Sequence, residues 1–157
     1  MSVVEERLAA LGLELPAVPA PVAAYVPAVV HGGLVWTSGQ LPFVAGALPA
    51  TGVVGTGPGQ VPPEDAAHLA RIAALNALAA VRSVVGDLDR IVRVVKLVGF
   101  VASDPAFTGQ PAVVNGASLL LGEVLGDAGR HARSAVGVAA LPLGSPVEIE
   151  LVVALAD

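Results

Sequence analysis

Residues 147–155, VEIELVVAL, alternate strictly. Val147, Ile149, Leu151, Val153 and Leu155 project to one side of an extended chain, and Glu148, Glu150, Val152 and Ala154 to the other. A one-residue slip would exchange the two sets, so this strand has one register and one buried face. Its second face is too polar for a core and too apolar for open water. The first set is expected to pack beneath helices and the second against another subunit.

Composition points the same way. The chain has 157 residues, 55% of them hydrophobic and 13% charged. Soluble domains carry about 25% charge, and a domain of this size leaves roughly a third of its unfolded surface exposed. A membrane protein or a subunit covered by partners would explain the shortage. The longest apolar run, residues 15–30, is broken by Pro16, Pro19, Pro21 and Pro27, and the first twelve residues carry acids where a secretory signal carries bases. The expectation is a cytoplasmic oligomer with no membrane contact. A net charge of −5 with one lysine argues against a nucleic-acid partner, and the absence of cysteine excludes disulfides and thiolate metal sites.

Along the chain, Ser2 and Glu5 form a capping box for a short helix that Gly12 ends. A proline-rich, extended strap covers 13–22. Strands are expected over 25–30 and 34–40, joined through a turn at His31-Gly32-Gly33. The glycine- and proline-rich stretch 44–61 contains GTGPG, which matches no phosphate-binding pattern and reads as a loop. A helix runs from Pro62 to Val85 and stops at Gly86, a β-branched strand over 90–102 is expected to be central in the sheet, and a second main helix runs from Pro111 to about Leu125. Strands over 133–141 and 147–155, joined by PLGSP, complete the chain. Residues 1–157 make a single α+β domain with one mixed sheet and its two main helices on one face.

Few side chains offer chemistry. His31, His68 and His131 lack ligand spacing, so no metal site is expected. Asn76 reads as a structural hydrogen-bonding group, and Lys96 stands alone in the central strand. The remaining charges of interest are Arg133, Glu148 and Glu150. They fit an intersubunit salt bridge. They also fit a small carboxylate site, with a guanidinium that holds a carboxylate by two bonds and a glutamate that holds or activates a water.

The last motifs resemble the RidA family, also called YjgF and long named endoribonuclease L-PSP. Its pattern Pro-Ala-Arg-Ser-Cys-Val, then a strand, Leu-Pro, a turn and Glu-Ile-Glu, is matched by His131-Ala-Arg133-Ser-Ala135-Val, by Leu141-Pro142 and by Glu148-Ile-Glu150. YVPAVVHGGLVWTSGQLP resembles the family's first hairpin, VVKLVGFVASDPAF its middle strand and turn, and VVNGA the start of its second helix. The resemblance covers 25–156, and residues 1–22 with the long 44–61 loop resemble the longer-chain branch. It implies a chorismate-mutase-like fold and a homotrimer with clefts between subunits. It also implies hydrolysis of enamines and imines such as 2-aminoacrylate to 2-keto acids and ammonia, without metal or organic cofactor. Carried over by motif, Arg133 clamps the substrate carboxylate and Glu148 positions the attacking water. Tyr25, Ser38 and Asn115 line the cleft, and the backbone at Ala135 faces the imine nitrogen. The alternative is a non-catalytic trimer that binds 2-keto acids. Two departures stand out: Ala135 replaces the family cysteine, and His131 replaces a proline, which implies a less rigid entry to the strand.

Overall fold

The structure, a computed structural model, describes residues 2–18 and 24–157. Residues 19–22 of the expected strap lie outside that range. Five strands form one sheet: β1 (Ala28–His31), β2 (Leu34–Thr37), β3 (Ile91–Ala102), β4 (Ala132–Val138) and β5 (Val147–Leu155), in the order β1-β2-β5-β3-β4. All neighbours are antiparallel except β3 and β4, which run parallel. The β3–β4 connection therefore crosses over through a helix, as parallel pairing demands. The sheet is mixed, as expected, and β5 is its middle strand, with β3 beside it rather than central.

The first hairpin turns at Gly32 and Gly33, both at positive φ (60° and 74°). Only glycine adopts two such conformations in succession at little cost. The predicted strands 25–30 and 34–40 are shorter in the structure. The 3₁₀ turn over Pro142–Gly144 and the bend before it end β4 at Val138 rather than at residue 141.

Three α-helices cover one side: α1 (Val3–Ala10), α2 (Pro63–Val85) and α3 (Gln110–Leu125). Leu97, Val101, Ile149, Leu151 and Val153 lie on the helix side of the sheet and are fully buried. Among the described residues, α2 is the helix long and apolar enough to cross a membrane by length and composition, and eleven of its residues are buried inside the protein. Many of those are alanines, which allows close approach. A Cβ on Gly116 of α3 would overlap the Ala67 carbonyl of α2, and one on Gly99 of β3 would overlap Val114. Glycine at 116 and 99 thus lets α3 settle against both α2 and the sheet. Gly116→Ala is expected to push the helices apart and cost about 1–3 kcal/mol by overpacking, because a backbone carbonyl cannot swing aside. Chemical denaturation with an unchanged midpoint would show that the helices absorb the methyl freely.

The N-terminal helix is capped differently from the expected reciprocal box. The Ser2 hydroxyl accepts from the Glu5 N–H at 3.1 Å, but the Glu5 carboxylate pairs with Arg82 at 2.8 Å. The second cap comes from Asp89, whose carboxylate accepts from the N–H groups of Val3 and Val4 at 2.7 and 2.9 Å. Those backbone bonds hold the Asp89 carboxyl below its ordinary value. Asn76 anchors the loop after β2 by donating to the carbonyls of Leu41 and Phe43.

Candidate active site

The pairing register decides which chemical groups can meet. Arg133 on β4 stands opposite Leu97, while Glu148 on β5 stands opposite Phe100. Positions 97 and 100 differ by an odd number along a stretch of β3 without a bulge, so their side chains point to opposite faces. Arg133 and Ala135 face the helices. Glu148 and Glu150 face the uncovered side. The charges that look adjacent in sequence are thus separated by the sheet within one chain.

On the helix side, Arg133 projects from the edge strand toward α3. Its Nη1 donates to Asn115 Oδ1 at 2.7 Å and to Ser118 Oγ at 3.2 Å. Asn115 and Ser118 are three residues apart, hence neighbours on one helix face. Both Nη1 hydrogens are used by neutral acceptors. Among the described residues Arg133 enters no ion pair. Its Nε–H and the parallel Nη2–H remain as a fork of the shape that a carboxylate fills. Ala135 is partly buried against the core two residues along, on the same face. Because β4 ends the sheet, half of its backbone N–H and C=O groups point away from any strand of this chain.

On the open side, Glu148 is half-buried. Burial first, and then the charge of Glu150, push its carboxyl above the ordinary value of 4.5. A carboxyl so raised is better suited to taking a proton than an exposed one. Ser38-Gly39-Gln40 crosses directly over it, fixed by the Gln40–Ile149 backbone pair (2.7 and 3.0 Å). A Cβ on Gly39 would coincide with Glu148 Oε1, so glycine is what lets the carboxylate lie against this segment. The Ser38 hydroxyl donates to Val26 O at 2.6 Å, which ties down the segment carrying Tyr25. Tyr25 itself is exposed. Lys96 lies on this face and donates to Ser134 Oγ at 3.0 Å rather than pairing with an acid.

The predicted residues therefore fall into two half-sites: Arg133, Asn115 and Ala135 at the β4 edge, and Glu148, Ser38 and Tyr25 toward the open face. Sequence reading missed Gly39 and Ser118. Ser118 was visible as the residue one helical turn beyond Asn115. Gly39 stood in the Ser-Gly-Gln of the first-hairpin motif, but nothing local gave its reason, a neighbour more than a hundred residues away.

A hollow of about 420 Å³ opens elsewhere, between the 55–60 loop and the 104–109 turn. Asp104 at its wall already accepts from Ala106 N–H and Gln60 Nε2, and Gln60 also accepts from Gly57 N–H. That is the ordinary loop the GTGPG stretch suggested.

The model of the family described as "YjgF/chorismate_mutase-like, putative endoribonuclease" matches residues 5–155. The chain belongs to this family. A Trypanosoma cruzi relative, Protein TCP17, is 44% identical over 155 residues, 97% of this chain and 94% of that protein. Among solved structures, Atu1372 of Agrobacterium tumefaciens, whose function is unknown, is 47% identical, covers 98% of this chain and 93% of its own, and superposes with a TM-score of 0.89. A Shewanella oneidensis MR-1 protein carrying the same provisional endoribonuclease label is 35% identical, with 97% and 99% coverage and a TM-score of 0.91. The family's chorismate-mutase-like α+β fold is the one described above, and its endoribonuclease-type name leaves the reaction open.

Proposed function

We propose that this chain, as a cytoplasmic homotrimer, hydrolyses reactive enamine and imine intermediates of the 2-aminoacrylate and 2-iminopropanoate type to 2-keto acids and ammonia. The observation that carries this reading is the Arg133 guanidinium, free of any ion pair among the described residues, held at a sheet edge by Asn115 and Ser118 with one fork open. Such a fork suits a small planar carboxylate. A protonated imine is already electrophilic, so orientation and one placed water supply most of the catalysis it needs. In this scheme Glu148 takes a proton from the water as it adds to the imine carbon and returns it to the nitrogen of the carbinolamine, which then expels ammonia as its hydroxyl gives up a proton and the keto C=O forms.

Arg133 and Glu148 face opposite ways in one chain, so a site that uses both is built from two copies. The open sheet face favours such an assembly. Across it run Val29, Trp36, Val152 and Lys96, then Glu150, Val98 and Ser134, then Glu148, Phe100 and Val136. Val29, Trp36 and Val136 are 49%, 50% and 43% exposed, large apolar side chains on a face that also carries Lys96, Glu150 and Glu148, a mixture that suits a surface between subunits. Light scattering at micromolar concentration is expected to give a trimer. Val136→Asp should leave the fold intact and release monomers, since an unpaired charge buried in an interface costs several kcal/mol. A persistent trimer in that variant would place the interface elsewhere.

The activity is tested by generating 2-aminoacrylate in place with a pyridoxal-phosphate lyase and following ammonia release. Acceleration over the uncatalysed rate is the expected result. Binding of 2-keto acids without acceleration would replace the deaminase with a carboxylate-binding trimer.

A further inference from the structure

His131 stands where the family pattern has proline, and its ring is fixed at both ends. Nδ1 lies 2.6 Å from the Gly129 carbonyl oxygen, and Nε2 lies 3.0 Å from Ser118 Oγ. A carbonyl only accepts, so the hydrogen of the neutral ring sits on Nδ1 and the lone pair on Nε2. Ser118 must then donate its single hydroxyl hydrogen to Nε2. Its oxygen is left as a pure acceptor toward Arg133 Nη1. The bonds thus run in one direction: Arg133 Nη1–H to Ser118, Ser118 O–H to His131, and His131 Nδ1–H to Gly129 O. Far from loosening the entry to β4, the histidine ties the start of that strand to α3.

We infer that Ser118 and His131 are positioning residues that lock the Arg133 guanidinium so that its Nε/Nη2 edge alone is presented to a ligand. Without His131 the Ser118 hydroxyl is free to rotate, its lone pairs are no longer fixed toward the guanidinium, and its 3.2 Å bond to Nη1 weakens. Asn115 then holds Nη1 alone: exchange of the two Nη groups about Nε–Cζ has one bond fewer to break, and the side-chain torsions before Nε, which aim the fork, are less restrained. A guanidinium that swings on those torsions offers end-on and side-on edges alternately, which favours a compact anion of any shape as much as a planar carboxylate. The locked group favours the carboxylate. The inference about the lock rests on the hydrogen-bond geometry, and its consequence for ligand choice rests on the proposed carboxylate clamp.

The test has two arms on the full-length protein. Arginine side-chain nitrogen NMR without ligand reads rotation about Nε–Cζ of Arg133. Ser118→Ala and His131→Ala are each expected to speed that rotation about tenfold, the weight of one hydrogen bond to a charged group. The double variant should be no faster than either single one, because the two residues act through one chain of bonds. His131→Gln, which can offer an acceptor to Ser118, should recover most of the parent's slow rotation. Ser118→Thr keeps the hydroxyl and should do the same. In the second arm, calorimetry with pyruvate should show Kd rising about tenfold in both alanine variants while the melting temperature changes little. Unchanged rotation in folded alanine variants overturns the lock even if pyruvate binds. Faster rotation upholds it even if the parent takes up no pyruvate, a result that overturns the proposed function alone.

Discussion

Arg133→Lys is expected to lower affinity for pyruvate and 2-oxobutyrate by roughly one to two decades in a trimer that remains assembled. Lysine keeps the charge but loses three things at once: the planar fork, the bond to Asn115 Oδ1 and the bond to Ser118 Oγ. A charge-assisted two-pronged contact in a cleft is worth about 1.5–3 kcal/mol, which converts to that range of affinity. If Arg133 served only as a structural ion, the substitution would instead cost stability and leave binding by the surviving trimers unchanged. Calorimetric titration, with trimer content measured on the same samples, separates the two. Equal affinities would remove Arg133 from the site and the deaminase reading with it.

Two substitutions at the second half-site are expected to cripple turnover without unfolding the protein. Glu148→Gln removes the group proposed to take the proton from water, a contribution of about 10²–10⁴ in rate. It should leave 2-keto acid affinity nearly untouched, and Glu150→Gln should have the smaller effect. Gly39→Ala should act through the same carboxylate. The new methyl would occupy the place of Glu148 Oε1, and the flexible side chain yields more readily than the backbone pair at Gln40–Ile149. Turnover should fall by at least about tenfold in a protein that still folds, a loss of about 1.4 kcal/mol in transition-state stabilisation. A fully active Gly39→Ala enzyme would show that the carboxylate position does not matter.

Stability should move the other way. The Glu148 carboxyl is raised in the folded chain, so the folded state binds that proton more tightly than the unfolded one. The stability this contributes is fully present below the ordinary value of 4.5 and is lost as pH rises through the raised value. Glutamine carries no such loss. The Glu148→Gln variant is therefore expected to melt higher than its parent at neutral pH and to show a flatter stability profile just above pH 4.5. Thermal melts across pH 4–8 read both, and a variant that is less stable yet fully active would reverse the assignment. A half-buried carboxylate beside another carboxylate is the kind of strained group that active sites retain at the expense of stability.

Much of the fold was legible because its signals are local. The alternation of 147–155 named the buried face of β5 residue by residue, and the structure places Val147, Ile149, Leu151 and Val153 under the helices. Prolines at the start of α2 and α3 and glycines after their ends set the helix limits to within a residue. Capping, turn chemistry and side-chain periodicity act over a few positions, so they are written in neighbouring residues. The Arg133 to Glu148 spacing was equally visible and identified the family.

Sequence could not tell that these two charges face opposite ways. That depends on β4 pairing parallel to β3 while β5 pairs antiparallel on the other side, and on the register that sets Leu97 beside Arg133 and Phe100 beside Glu148. The same holds for Gly39, which is glycine because a carboxylate from the far end of the chain lies against it, and for His131, whose ring is fixed by Ser118 on another element. The chain by itself determined its elements, its buried stripes and its chemical groups, because those follow from local sterics and hydrophobic period. Only the tertiary structure decided which groups meet, because register and close approach are set by contacts between residues with no memory of their distance along the chain.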